Sequence, residues 1–174
     1  DPHKIMALAL QYLIEKRGLR GPVIRTVSTT RMIDRLAAKY GLPLYEAPVG
    51  FNHIADYMLK EEVLIGGEES GGISFRGNIP EGDGVLMGLL LVEIMAYSGK
   101  TLNDLVEDLL KDVGPAYYER RDLRLKHPVE KNVMVSKLVN EAPQTIGGEI
   151  LSEMVTVDGV KYILIDDSWL LIRP

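Results

Sequence analysis

The chain has 174 residues, of which 46% are hydrophobic, and a formal net charge of −5. These values are ordinary for a globular protein, and the lack of a basic stripe argues against nucleic acid as a partner. The absence of cysteine excludes disulfides, thiolate metal sites and a cysteine nucleophile. The longest apolar run, residues 85–95, is shorter than the roughly 20 residues that cross a bilayer, so we expect no membrane partner.

The first two thirds of the chain alternate helical and strand patterns. Apolar spacing predicts helices over residues 3–17, 30–40, 54–59 and 83–96, followed by one that begins at Thr101. Short apolar strands are predicted over residues 23–27, 44–47 and 62–65. This alternation predicts an α/β layer with a largely parallel sheet. Ser28 or Thr29 is expected to cap the second helix, and residues 83–96 are apolar nearly all round, which predicts a buried helix.

The composition changes near Gly114 and Pro115, and we place a domain boundary there, between residues 1–116 and 117–174. Alternating apolar and charged residues predict a strand over residues 117–125. A helix over residues 129–141 and strands over residues 150–157, 160–166 and 169–172 are predicted next. Asp158 and Gly159 form a typical hairpin turn. This second block is therefore predicted to be a smaller α+β domain with an antiparallel sheet.

Three loops, at residues 28–30, 48–52 and 66–72, directly follow predicted strands. Ligands of open parallel sheets bind beyond the carboxyl ends of the strands, so these loops are expected at one edge.

The sharpest motif is GGEESGG at residues 66–72. Its glycines, among them Gly67 and Gly71, let a ligand approach the backbone. A glutamate carboxylate and a serine hydroxyl can bind the hydroxyls of a sugar. A solvated acidic turn is an equally open interpretation at this point. Two glutamates without a neighbouring His or Asp make a poor metal site, so we expect no metal ligands here.

The motif is accompanied by RTVSTT at residues 25–30, PVGFN at residues 48–52 and PEGDG at residues 80–84, and the chain ends with Arg173 and Pro174. In this order and spacing they resemble the α-D-phosphohexomutase family, which includes phosphoglucomutases and phosphomannomutases. The resemblance covers nearly the whole chain. It implies a three-layer α/β/α third domain with a mixed, largely parallel sheet, followed by a truncated fourth domain.

The resemblance also implies roles for individual residues. Glu68 and Ser70 correspond to the residues that contact sugar hydroxyls, and Arg173 to the arginine that binds the substrate phosphate. The loop at residues 48–52 often carries Lys or His in the family, whereas this chain has Phe51 and Asn52, with His53 next. Ser28 stands where some relatives carry a substrate-side lysine, and Gly72 where some carry histidine.

The family's phosphoserine loop and its Asp-rich magnesium loop do not occur in the chain. By resemblance, the intact enzyme interconverts hexose 1- and 6-phosphates in the cytoplasm, using Mg²⁺ and a glucose 1,6-bisphosphate intermediate, while this fragment alone is inactive. Its expected partners are a hexose phosphate and the missing N-terminal domains of the same polypeptide. Formation of a homodimer is left as an open alternative, since a truncated sheet could expose a strand edge. A non-catalytic sugar-phosphate-binding module or a structural interaction domain are the alternative functions.

Overall fold

The computed structural model describes all 174 residues. The chain divides into two compact units, Asp1–Tyr118 and Glu119–Pro174. The domain boundary that we place between residues 116 and 117 stays a prediction about the family's domains. No single helix is long and apolar enough to cross a membrane, although two consecutive helices of the first unit, bent by 85°, reach that length and composition together.

The first unit is built on a four-stranded mixed sheet. Its strands are β1 Val23–Thr26, β2 Leu44–Ala47, β3 Ile65–Gly67 and β4 Ile73–Phe75. The strand order is β2-β1-β3-β4. β1 is parallel to both of its neighbours, and only β4 runs antiparallel, to β3. The predicted α/β class with a largely parallel sheet is confirmed.

Helices cover both faces of this sheet. They are α1 Pro2–Glu15, α2 Met32–Tyr40, α3 Phe51–Met58, α4 Gly84–Ser98 and α5 Leu102–Val113. Side chains alternate between the faces of a strand. Val23 accordingly packs in the core formed with α1, α2, α4 and α5, whereas Ile24 packs with Ile54 of α3 on the other face. The result is the three-layer arrangement that the resemblance implies.

Local signals explain where the helices begin. The Asp1 side chain accepts a hydrogen bond from the backbone N–H of Lys4 at 3.1 Å and caps α1. Thr101 and Asp104 form a capping box at the start of α5. The expected cap of α2 by Ser28 or Thr29 is wrong, because α2 begins at Met32, with Arg31 at the cap and no side-chain cap bond.

Two further predictions for this unit are corrected. The strand placed over residues 62–65 lies at Ile65–Gly67 instead, so it includes two glycines of the loop motif. A Cβ at residue 66 would overlap Ile54 Cγ2, because α3 packs closely against β3. α4 is not buried all round: Met87, Leu90 and Ile94 are buried, whereas most of its other apolar side chains face outward.

The second unit contains one helix and an antiparallel sheet, as predicted. Its elements are α6 Lys131–Asn140, β5 Thr145–Ile146, β6 Glu149–Val155, β7 Val160–Leu164 and β8 Trp169–Ile172. The strand order is β5-β6-β7-β8, and each pair is antiparallel. The strand predicted over residues 117–125 is wrong. Those residues are exposed and pair with no strand.

Candidate functional site

The carboxyl ends of three parallel strands meet at one edge of the first unit's sheet. β1 lies between β2 and β3 and is parallel to both. The segments that follow these strands are residues 27–31, 48–50 and 68–72. Because the strands run in one direction, all three loops start from the same edge, which is the place where ligands of such sheets bind.

The β3–β4 connection is a tight turn. The backbone N–H of Glu68 donates to the carbonyl of Gly72 at 3.0 Å, and that of Gly71 donates to the carbonyl of Glu68 at 3.1 Å. Gly71 has φ of 102°, a conformation that side chains with a Cβ rarely adopt. These bonds define a turn at residues 68–72, which we call the sugar turn after the role that family resemblance implies for it.

Glu68 and Ser70 lie together on the sugar turn. The Ser70 hydroxyl donates to Oε1 of Glu68. The other carboxylate oxygen, Oε2, is buried and has no hydrogen-bond partner. A buried acceptor without a partner costs roughly 1–3 kcal/mol. A ligand hydroxyl that donates to this oxygen would therefore remove an existing cost.

The adjacent Glu69 has different partners. Its carboxylate accepts a hydrogen bond from the Ser28 hydroxyl, at the end of β1. Thr26 Oγ1 approaches the same carboxylate oxygen at 3.5 Å. The two neighbouring glutamates therefore differ: Glu69 connects two loops, whereas Glu68 has a buried oxygen without a hydrogen-bond partner.

Close packing explains the glycine at residue 72. A Cβ there would lie 3.1 Å from Phe51 Cδ2 and 3.3 Å from Glu68 Cγ. On the other side, a Cβ at residue 82 would lie 2.8 Å from the Cα of Gly72. The turn that contains Gly82 thus supports the sugar turn from behind, and this contact leaves little room for a larger residue at either position.

The loop after β2 presents no lysine. Phe51, Asn52 and His53 all lie in the first turn of α3. Phe51 is half-buried and packs against the core on the α3 face of the sheet, Asn52 is exposed and His53 is half-buried. The edge of the sheet is thus bordered here by an aromatic ring and an amide.

A buried ion cluster supports the end of β1. Arg25, which is 3% exposed, donates to both carboxylate oxygens of Asp34 at 2.6 Å and to the Glu46 carboxylate. Burial lowers the pKa of the Arg25 guanidinium, but the two carboxylates outweigh burial and raise the pKa above its usual value. Since Glu46 lies on β2 and Asp34 on α2, this cluster holds three elements together just below the loops.

Comparison with known proteins supports the family resemblance that the motifs carry. Residues 1–113 match the family model described as phosphoglucomutase/phosphomannomutase, alpha/beta/alpha domain III. The chain belongs to the phosphoglucomutase/phosphomannomutase family.

The matched relatives are named after several different substrates. The chain is 33% identical to a phosphoglucomutase of Komagataeibacter xylinus, over 100% of its own length and 34% of the relative's. It is 30% identical to a phosphoglucosamine mutase of Methanococcus aeolicus, with 100% and 36% covered. A solved structure from Thermus thermophilus, assigned as a phosphomannomutase, matches with a TM-score of 0.81 and 30% identity, over 100% of this chain and 35% of that chain. The chain therefore spans about a third of the length of these phosphohexomutases.

Arg173, the residue that family resemblance links to phosphate, lies directly after β8 in the second unit. Its Nε donates to Asp158 Oδ2 at 2.7 Å, and Lys131 Nζ lies 2.8 Å from Asp158 Oδ1. Burial raises the pKa of Asp158, but the bonds from Lys131 and Arg173 outweigh it and hold the pKa below the usual value. The Asp158 carboxylate thus orients Arg173.

No metal site of the phosphohexomutase kind is found in the described chain. Among its 174 residues, no group of three or more His, Asp or Glu side chains is arranged to hold a metal ion. The residues present therefore do not fit the Mg²⁺ that the resemblance implies, and we assign no step in this chain to it.

The sequence patterns did not predict three sets of contacts: in the first unit the Glu69–Ser28 bond and a contact of His3 with the β1 end, and in the second unit the Asp158 ion pairs. His3, in the first turn of α1, is 3% exposed, and its Nδ1 accepts a hydrogen bond from the backbone N–H of Thr30 at 3.3 Å. These pairs are separated by 15 to 41 residues. Periodicity and short motifs contain no signal for partners so far apart.

Proposed function

We propose that this chain is the sugar-binding portion of a phosphohexomutase that interconverts hexose 1-phosphates and hexose 6-phosphates. The observation that carries the proposal is the Glu68–Ser70 pair, in which one carboxylate oxygen is buried without a hydrogen-bond partner. The pair lies on a turn at the carboxyl edge of three parallel strands, where family membership leads us to look for the substrate.

The chemistry of the pair suits a vicinal diol. Two neighbouring sugar hydroxyls can donate to the two oxygens of one carboxylate, and charge-assisted bonds of this kind are stronger than neutral ones. Ser70 can donate or accept in addition. Gly71 lies next to the pair, so the sugar ring can approach the backbone there, whereas Gly67, which was expected to do the same, is buried in β3 against Met6. Glu68 and Ser70 would bind the hydroxyls that occupy similar positions in both orientations of the sugar.

Family resemblance also implies roles for other residues of the chain. Arg173, oriented by Asp158, would bind the phosphate that is remote from the reacting one, since a guanidinium matches phosphate geometry. Phe51, Asn52 and His53 would border the substrate on the β2 side, while Ser28, which is buried, belongs to the loop on the β1 side. These are binding and positioning roles, which can supply several kcal/mol of rate enhancement.

The remaining functions would lie outside this chain. A phosphoserine in the missing domains would donate the phosphoryl group, Mg²⁺ bound there would offset its charge, and glucose 1,6-bisphosphate would be the intermediate that reorients. The chain alone is then expected to bind without turnover. A cytoplasmic location and a homodimer remain predictions.

A ¹H–¹⁵N NMR titration with glucose 1-phosphate tests the proposal, with inorganic phosphate as the ligand control. We expect saturable shifts at residues 66–72 and at the neighbouring strand-end loops. Glu68→Ala should weaken binding about 10- to 100-fold, because hydrogen bonds to a charged group contribute roughly 1.5–3 kcal/mol. Glu61→Ala, an exposed glutamate of the same unit, should leave affinity unchanged. Equal affinities for the two variants would overturn the proposal, as would an absence of shifts at millimolar ligand.

A further inference from the structure

A group of hydroxyls at the end of β1 is buried. Thr26, Ser28 and Thr29 are at most 7% exposed, and we call them the hydroxyl cluster. The Oγ1 atoms of Thr26 and Thr29 lie 2.8 Å apart, and Thr26 Oγ1 lies 3.2 Å from Ser28 Oγ. Buried polar groups that are linked in this way specify one local conformation.

The hydroxyl cluster is connected to the sugar turn. Ser28 donates to the Glu69 carboxylate, and Thr29 Oγ1 approaches the carbonyl of Gly67 at 3.5 Å. Glu69 therefore faces the hydroxyl cluster, whereas its neighbour Glu68 bonds to Ser70. Because Glu68 and Glu69 are adjacent in the chain, fixing the side chain of one restricts where the other can point.

His3 holds the same segment from the α1 side. Its Nδ1 accepts from the Thr30 N–H, so the ring is neutral and its proton lies on Nε2. Nε2 is buried without a hydrogen-bond partner, and the edge of the ring packs against Tyr118, with 4.3 Å between the ring centroids.

The electrostatic surroundings keep this ring neutral. The pKa of His3 is lowered to about 4: burial is the largest cause, the carboxylate of Glu69 acts in the opposite direction, and the amino group of Asp1 and Lys4 add smaller lowering effects. Tyr118 contributes an uncharged contact. The imidazole therefore remains an acceptor for Thr30 throughout the neutral pH range.

We propose that Glu69, Ser28 and His3 are positioning residues, which hold the β1 end and the sugar turn together so that Glu68 and Ser70 face the sugar. The effect of this contact on sugar binding rests on the proposed function. The contact itself does not rest on that function, because it is present in the ligand-free chain.

Amide hydrogen exchange in the ligand-free chain tests the contact. Ser28→Ala and Glu69→Ala should each increase the exchange of the Glu68 and Gly71 amides about tenfold, since a lost hydrogen bond opens the turn by roughly that factor. Glu69→Gln keeps an acceptor for the Ser28 hydroxyl and should restore most of the protection. Ser152→Ala, which removes a hydroxyl bonded to a carbonyl in the second unit, is the control. Unchanged exchange in both alanine variants would overturn the proposal.

Calorimetric titration with glucose 1-phosphate tests the consequence. Ser28→Ala and Glu69→Ala should each weaken binding about tenfold, and the double variant little more, because coupled residues are not additive. Weaker binding with unchanged amide exchange would mean that Glu69 contacts the ligand itself, and would overturn the positioning role. If the wild-type chain bound no sugar while the exchange results were as expected, the positioning contact would stand and the proposed function would fail.

Discussion

The β1 end and the sugar turn lie side by side, yet they are built in opposite ways. Ser28, Thr29 and Thr30 are at most 7% exposed. Ser28 and Thr29 bond to Thr26, Ser28 also bonds to Glu69, and Thr30 bonds to His3. On the sugar turn, Ser70 is exposed and Glu68 is half-buried, with one oxygen unpartnered. The hydroxyls of one region are hydrogen-bonded, and the other region contains a buried carboxylate oxygen without a partner.

This difference indicates that the two regions have separate roles, the β1 end in support and the sugar turn in binding. A group that binds a ligand precisely must be held by neighbours whose own positions are fixed. The β1 end, with the Arg25 cluster below it, provides that fixed support, and the unpartnered carboxylate oxygen belongs to the turn it supports. The following predictions test how much the support and its surroundings contribute to stability.

The largest expected effect is on the support. Arg25→Met should lower the free energy of unfolding by about 3–5 kcal/mol, because it leaves Asp34 and Glu46 without their buried cation. Arg17→Met, which removes an exposed ion pair with Glu93, should cost less than about 1 kcal/mol. Urea unfolding followed by the amide signals of β1 measures both. Equal costs would contradict the supporting role of Arg25.

The support should also weaken in acid. His3 is neutral in the folded chain above a pKa of about 4, whereas in the unfolded chain it binds a proton below 6.5. The unfolded state thus binds more protons between these values, so stability should fall as pH drops from 6.5 to 4, by up to about 3 kcal/mol.

His3→Asn should flatten this pH dependence, and the exposed His127 provides the control. His127→Asn should follow the wild-type curve. Urea unfolding at several pH values measures the slopes. Parallel curves for the wild type and His3→Asn would show that His3 does not cause the acid sensitivity.

The packing behind the sugar turn gives a smaller effect. Gly82→Ala would place a Cβ 2.8 Å from the Cα of Gly72, and a backbone atom has little room to move. We expect a loss of about 1–3 kcal/mol, typical of overpacking, together with amide shifts across residues 68–72. A variant as stable as the wild type, with unshifted amides, would show that the two turns are not in firm contact.

The smallest effect, of opposite sign, is expected on α4. Gly88 lies in this helix, and a Cβ there would meet nothing within 4 Å. Gly88→Ala should therefore raise the free energy of unfolding by up to about 1 kcal/mol, the difference in helix propensity. Thermal unfolding measures it. A loss of stability would mean that the exposed face of α4 has a close neighbour at this position.

Much of the fold could be predicted because its signals are local. Strand β2 and the helical segments follow apolar spacing, and the turn at Asp158 and Gly159 pairs β6 with β7 as expected. The failures have tertiary causes. β3 includes Gly66 and Gly67 because Ile54 of α3 packs closely on the first and Met6 of α1 on the second, a requirement that strand propensity does not contain. The exposed face of α4 could not be identified because its sequence is apolar all round.

The candidate site could be predicted only in part. The motif at residues 66–72 drew attention to Glu68 and Ser70, whose roles stay proposals. It could not distinguish the partners of Glu68 from those of Glu69, because Ser28 is 41 residues away. The role of His3 could not be predicted from the sequence for the same reason: nothing in the helical pattern of α1 indicates that Thr30 lies against this helix.

A crystal structure of the chain with glucose 1-phosphate tests the central claim most directly. We expect two adjacent sugar hydroxyls to donate to the Glu68 carboxylate, one of them to the oxygen that is unpartnered in the ligand-free chain. Glu69 should keep its bond to Ser28. A sugar bound away from the sugar turn, or a Glu68 carboxylate that the sugar does not contact, would contradict the assignment of this site.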